Sequence, residues 1–414
     1  MQILKDLNTL ISYPSRSEDV KCCKEALKYV LGLAENFGLE TKIGRHGDVG
    51  IAELGEGEKT VGILVHVDVV SEGNVSLWKH EPFKLSEEEG MLYGRGIVDD
   101  KGPVIACLYA LKEIKEKNLP LKKKIRMIIG TAEEVEWTDM EHYKEEFAFP
   151  DYGFTPDGNF PIYNRENGYM DIELKFREAF PDGIGGFAGG GATNSVPSHA
   201  EYKVGEEVKR FEGKGAHSST PELGINAINL LCREVAQYGF NFAKLINTYF
   251  PDGEYASRLN YVRRDGRPNE EKDLTIVPTV LRQEGDEIVI NLNARQAFEI
   301  PAESIIAALH DKQTEYGYTV SEAETQEAVY VDENQPWMQR MKKVNADYGM
   351  GDECLLASGS SYAKSMPDIV SWGPVFPEEP DCAHMENERQ STSSFLKTVE
   401  IYRDYLILEC QSPD

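Results

Sequence analysis

The chain has 414 residues, 41% of them hydrophobic, which is enough for two domains that each bury a core. A net charge of −27 argues against nucleic acid and against anionic membrane surfaces as partners. Seven cysteines with no Cys-x-x-Cys pair fit a reducing compartment, and no apolar run approaches the ~20 residues that a membrane span needs.

Residues 1–38 carry early acidic groups and helical periodicity, without the basic start and apolar centre of a signal peptide. Helices are expected near 3–10 and 18–37, and the protein is expected in the cytoplasm. After a strand pair near 40–54 comes VGILVHVDVV at 61–70, apolar on both alternating faces like a strand buried in a mostly parallel sheet. His66 and Asp68 interrupt it. Two residues apart on a strand, they share a face, and Asp68 can hold the His66 imidazole in one tautomer. A histidine satisfied by a core carboxylate explains the pair equally well at this point.

GRGIVDDKGP hands a Gly-rich turn to a helix at 101–117. Helix capping accounts for one aspartate at that entry but not for two. Asp99 is free to bridge two cations, while Asp100 caps the helix or pairs with Lys101 or Arg95. In LKKKIRMIIGTAEEVEW a strand at 125–130 runs into Glu133 and Glu134. Adjacent glutamates are usually solvated surface. Beyond the carboxyl end of a buried strand, where a sheet enzyme gathers its ligands, one can bind metal while the other remains a general base.

From Gly168 the texture changes to strand-like MDIELKF, a Gly-rich stretch at 183–191 and paired strands with a helix near 224–238. The reading is an α/β domain with a mostly parallel sheet, residues 1–166 and 326–414, interrupted by an inserted α+β domain at 167–325. The first domain resumes with a helix at 335–348 and closes with another near 390–408. Cys22, Cys23 and Cys107 lie on helices and read as packing; Cys382, two residues before His384, could be a nearby soft ligand.

The ordered motifs HVD, GRGIVDDKGP, TAEE, TPDGNFP, GKGAHSSTPELGINA and FPEEPDCAHMENE span nearly the whole chain. They closely resemble the co-catalytic di-zinc metallopeptidases, the family of carboxypeptidase G, aminoacylase, acetylornithine deacetylase and carnosinase. TPDGNFP, GGGATNSVPSHA and GPVFPEEPDCAHMENE look most like the bacterial dipeptidase V, or Xaa-His dipeptidase, branch. The resemblance implies a zinc-exopeptidase-like catalytic domain with the insertion as a lid. It implies one metal held by His66, Asp99 and Asp157, and a second by Asp99, Glu134 and His384. Glu133 would be the general base on a water bridging the two, and Asp68 would orient His66.

On the lid, the resemblance has His217 hydrogen-bond the oxygen of the tetrahedral intermediate and Asn194 help hold the substrate. Arg295 would recognise the substrate carboxylate, a task suited to a planar guanidinium fork. Ser361 keeps a hydroxyl in SGSSYAK, where the branch's arginine has become Lys364; Gln296 and Ala297 follow Arg295 where the family often has Tyr-Pro. Nitrogen and oxygen ligands without thiolate suit zinc, and manganese or cobalt would also be accepted. The expected function is hydrolysis of dipeptides or short amides with a free amino terminus. The alternative is an N-acyl-amino-acid deacylase of the same family. A monomer is expected, with a homodimer as the alternative. A metal-dependent scaffold without turnover is disfavoured, because neither a ligand nor Glu133 is missing.

Overall fold

Both alternating faces of the apolar run after Thr60 are buried, because strand Thr60–His66 lies inside a sheet rather than at its edge. In a computed structural model, which describes residues 1–252, 256, 258–268, 274–357 and 359–413, this sheet has nine strands among the described residues. Parallel strands form its middle: Lys124–Gly130, Thr60–His66, Tyr152–Thr155 and Ile369–Ser371. Antiparallel pairs extend it on both sides, Gly50–Leu54 and Glu40–Ile43 at one end and Ile162–Glu166 at the other. The carboxyl ends of three parallel strands therefore open on one edge at His66, Gly130 and Thr155, where such sheets gather ligands.

The sequence divides into two units, Met1–Arg165 with Tyr330–Asp414, and Glu166–Val329. Glu166 and residues 326–329, expected with the catalytic domain, fall in the second unit, and Gln326 is the last residue of strand Tyr318–Gln326 in that unit's sheet. The chain leaves and re-enters the first unit side by side. Val331 donates its N–H to the Asn164 carbonyl at 2.9 Å, and the Asn164 amide returns a bond to the Val331 carbonyl at 2.7 Å.

Helix Lys101–Lys117 is buried on nearly all sides and packs against the terminal helix Thr392–Gln411. Between the sheet and that terminal helix sits an aromatic cluster: Trp372 meets Phe154, Tyr402 and Tyr405 with centroids 5.1–5.3 Å apart. Phe154 lies on the strand that leads to Asp157, so this packing fixes the approach to the site. Phe154→Ala should lower the unfolding free energy by about 3–5 kcal/mol, the usual cost of removing a buried aromatic ring. A shifted urea midpoint at unchanged slope would show it. A loss below about 1 kcal/mol would mean that the cluster repacks.

The second unit is a seven-stranded antiparallel sheet among the described residues, ordered Glu207–Glu212, His199–Val204, Ile184–Gly189, Leu274–Glu284, Glu287–Gln296, Gly168–Arg177, Tyr318–Gln326. Alternation sorts its two faces. Met170, Ile172, Leu174, Ile290, Leu292 and Ala294 enter the core with helices Ala227–Val235 and Asn241–Tyr249, which leaves Tyr169, Asp171, Asn293 and Arg295 on the polar face. Helices Thr138–Glu146 and Asn241–Tyr249 are additions to the elements expected from the sequence. No helix of the described residues is long and apolar enough to cross a membrane.

Candidate metal centre

His66 ends its strand, and its ring is fully buried. The expected same-strand pairing with Asp68 is corrected. The strand stops at His66, and the chain turns away to Ser15, whose hydroxyl donates to the Val67 carbonyl and whose carbonyl accepts the Val69 N–H. Asp68 nevertheless meets the ring: the His66 Nδ1 donates to the Asp68 carbonyl at 3.0 Å, with Asp68 Oδ1 at 3.3 Å. A proton fixed on Nδ1 leaves Nε2 with a lone pair pointing into the site. Asp68 also accepts the Ser17 hydroxyl at 2.8 Å and the N–H groups of Glu133 and Glu134 at 3.2 Å, so one carboxylate sets both the imidazole and the glutamate turn.

Asp99 faces two imidazoles with one oxygen for each: Oδ1 lies 2.9 Å from His66 Nε2, and Oδ2 lies 2.8 Å from His384 Nε2. Asp100 stands at the N-cap of helix Lys101–Lys117 but neither caps it nor forms the expected pairs. Its Oδ2 accepts the His66 N–H at 3.0 Å, while Lys101 donates to the Tyr13 carbonyl and Arg95 to Glu388. Burial pushes Asp100 well above the usual carboxylate range.

Glu133 and Glu134 leave the sheet in a turn held by Asp139, whose carboxylate accepts the N–H groups of Thr131 and Ala132 and the Tyr362 hydroxyl. Glu134 Oε1 lies 3.1 Å from His384 Nε2. Glu133 is buried, and burial together with the Asp157 charge raises it well above the ordinary carboxylate range. Asp157 Oδ2 lies 3.9 Å from His66 Nε2. Two clusters result, each with ligand atoms within 4.8 Å of one another: His66, Glu133 and Asp157, and Asp99, Glu134 and His384. Glu133 thus stands in the first cluster, and Asp99 joins it through His66.

This donor set fits a pair of divalent cations. Glu133 Oε1 is buried without a hydrogen-bond partner, and His66 Nε2 and Asp99 Oδ1 face only each other, as atoms aimed at a common ion would. Four carboxylates converge there on two imidazoles, which favours bound positive charge. Without it, Asp99 and then Glu134 push His384 up to about 11, so a cation must displace that proton to bind.

In the second unit, Asn194 and His217 come together where Ser195 pairs with His217 across two short strands and Ser218 donates to the Asn194 carbonyl at 2.9 Å. Burial and the Arg295 charge lower His217, whose Nδ1 lies 2.6 Å from the Ser219 hydroxyl. The Arg295 guanidinium stacks 4.6 Å over the Tyr169 ring. In the first unit, the Ser361 hydroxyl accepts the Ala363 N–H at 3.2 Å; Ser358 of the same loop lies outside the described residues. Cys382 points away from both clusters, its thiol donating to the Arg389 carbonyl at 3.1 Å. Asp139, Tyr362 and Glu388 were not singled out from the sequence. Only Asp139 carried a signal there, as Thr138-Asp139 is a plausible helix start.

A model of peptidase family M20/M25/M40 matches residues 62–407. The chain is 32% identical to "Putative dipeptidase YtjP" of Bacillus subtilis (strain 168), with 91% of this chain and 88% of that one covered. In fold it is similar to the aminoacylhistidine dipeptidase from Vibrio alginolyticus, with a TM-score of 0.68 at 14% identity over 100% of this chain and 96% of the other. It is also similar to the M20 family metallo-carboxypeptidase Sso-CP2 from Sulfolobus solfataricus, with a TM-score of 0.67 at 18% identity and both chains fully covered.

Proposed function

Since the chain belongs to peptidase family M20/M25/M40 and is a metallopeptidase, we propose that it is a dipeptidase, cleaving dipeptides or short amides that carry a free amino terminus. The observation that carries this reading is the single carboxylate of Asp99 set between two imidazoles, with Glu133 beside His66 and Asp157. His66 and Asp157 would hold one cation, Asp99 would be shared, and Glu134 and His384 would complete the second site. Zinc suits these ligands best, with manganese or cobalt as substitutes. Bound there, the metal pair would polarise the scissile carbonyl and make water acidic enough to attack at neutral pH.

Glu133 takes the proton of the attacking water and passes it to the leaving amine. Asp68 keeps His66 in the ligating tautomer. His217 donates to the carbonyl oxygen as negative charge develops on it. Asn194, Arg295 and Ser361 bind the substrate carboxylate, and Asp157 lies towards the free amino group. The same reading makes the enzyme a cytoplasmic monomer.

Metal analysis combined with turnover on L-Ala-L-Ala, β-Ala-L-His and N-acetyl-L-methionine tests this, each with zinc, manganese or chelator. The expected result is two metal ions per chain and chelator-sensitive cleavage of a dipeptide. Cleavage of the acetylated amino acid alone would make the enzyme a deacylase. Failure to take up metal under any condition would overturn the ligand assignment.

A further inference from the structure

Four residues beyond His384, Glu388 is completely buried and has no place in either ligand cluster. Its Oε2 accepts Arg95 Nη1 at 2.7 Å and the Gly96 N–H at 3.0 Å; its Oε1 accepts the N–H groups of Val98 at 2.8 Å and Asp99 at 3.2 Å. A single carboxylate thus gathers the loop that ends in Asp99, through charge-assisted bonds stronger than neutral ones. The segment that carries Glu388 is itself fixed. Met385 closes a turn onto the Cys382 carbonyl at 3.2 Å, and Asn387 bonds both the Leu77 carbonyl at 2.8 Å and the Lys79 N–H at 2.6 Å. His384 and Asp99, nearly three hundred residues apart in sequence, are therefore held to each other by a side chain that touches no substrate.

We propose that Glu388 is a positioning residue that sets the distance between Asp99 and His384 and thereby creates the affinity of the second metal site. The inference rests on the two-metal reading above. Docking of the segment does not depend on the carboxylate. Residues Arg389–Ser391 pair with Met91–Tyr93, and Gly94 donates to the Glu388 backbone carbonyl at 3.1 Å. Glu388→Gln should therefore fold, while its amide presents an N–H2 group to donors that need an acceptor.

The test is cobalt titration of the metal-stripped enzyme, followed by visible absorption and direct metal analysis, with thermal melting of the same samples. The variants are Glu388→Gln, Glu388→Asp and Glu409→Gln. Glu409 serves as the control because it is equally buried, bonding Lys123 and Tyr152 at 2.6 Å away from the ligand clusters. Wild type and Glu409→Gln should bind two cobalt ions. Glu388→Gln should keep one and weaken the second about ten- to a hundredfold, the usual cost of losing a ligand's outer partner, with partial recovery in Glu388→Asp. Two wild-type-like cobalt sites in Glu388→Gln, with melting lowered as in Glu409→Gln, would overturn the proposal. So would failure of both Glu388 variants to fold, which would make the residue part of the scaffold. Absence of cobalt uptake by the wild type would instead overturn the two-metal reading on which the proposal stands.

Discussion

Glu133→Gln is expected to reduce dipeptide turnover by about 10²- to 10⁴-fold, the range typical of a lost general base, while two metal ions remain bound. Glutamine keeps the shape of the side chain, so the packing around this buried position and the Trp137 indole bond to the Glu133 carbonyl at 2.6 Å should survive. What is lost is the capacity to accept a proton. The measurement must include metal content, because Glu133 also lies within ligand reach of His66 and Asp157. If the variant loses the ion at His66 and Asp157, Glu133 is a ligand and the base is another group. Full turnover would remove Glu133 from the mechanism altogether.

Asp99→Ala should be more damaging to the metals than any other single substitution at the centre. Its two oxygens lie 2.9 Å from His66 Nε2 and 2.8 Å from His384 Nε2, so truncation takes one donor from each site and leaves the imidazoles unbridged. The expected outcome is fewer than one tightly bound metal ion per chain, no measurable turnover, and a melting temperature that added zinc no longer raises, since a ligand stabilises only what it binds. Glu134→Ala provides the contrast: it removes one donor from the second cluster and should leave one ion in place. Retention of two ions by Asp99→Ala would mean that each site is complete without a shared carboxylate.

Much of this candidate centre was legible because each candidate ligand sits where a recognisable element ends. His66, Glu133, Glu134 and Asp157 follow buried strands, and Asp99 precedes an apolar helix, so their convergence follows from the sheet rule and the order of motifs. Asp68 lies against His66, where a same-strand pairing had been expected. The strand gives way after His66, and the contact is made from the loop. Asp100 was misjudged because its neighbours Lys101 and Arg95 suggested ion pairs, whereas both turn to other acceptors. Glu388 was invisible in the sequence, and Asp139 showed there only as part of a helix start. A carboxylate that gathers backbone N–H groups looks like any solvated acid until the loop it serves has been placed around it. Helix Thr138–Glu146 escaped for a related reason: only Asp139, Met140 and Tyr143 of its nine residues are buried, which is too thin a stripe to register as periodic.

The side-by-side exit and re-entry at Asn164 and Val331 has a consequence for the order in which the molecule is made. Residues Glu166–Val329 form an uninterrupted stretch, and once that stretch folds its ends are already gathered, so closing the first unit across it demands little additional chain entropy. The first unit, however, cannot finish its sheet until Ile369–Ser371 has been synthesised to lie beside Tyr152–Thr155, and His384 arrives later still. On the ribosome the insertion is therefore free to mature while the candidate metal centre is still incomplete. A chain that stops before His384 holds one candidate ligand cluster and two of the three residues of the other, so the centre is assembled only after the whole insertion has been made.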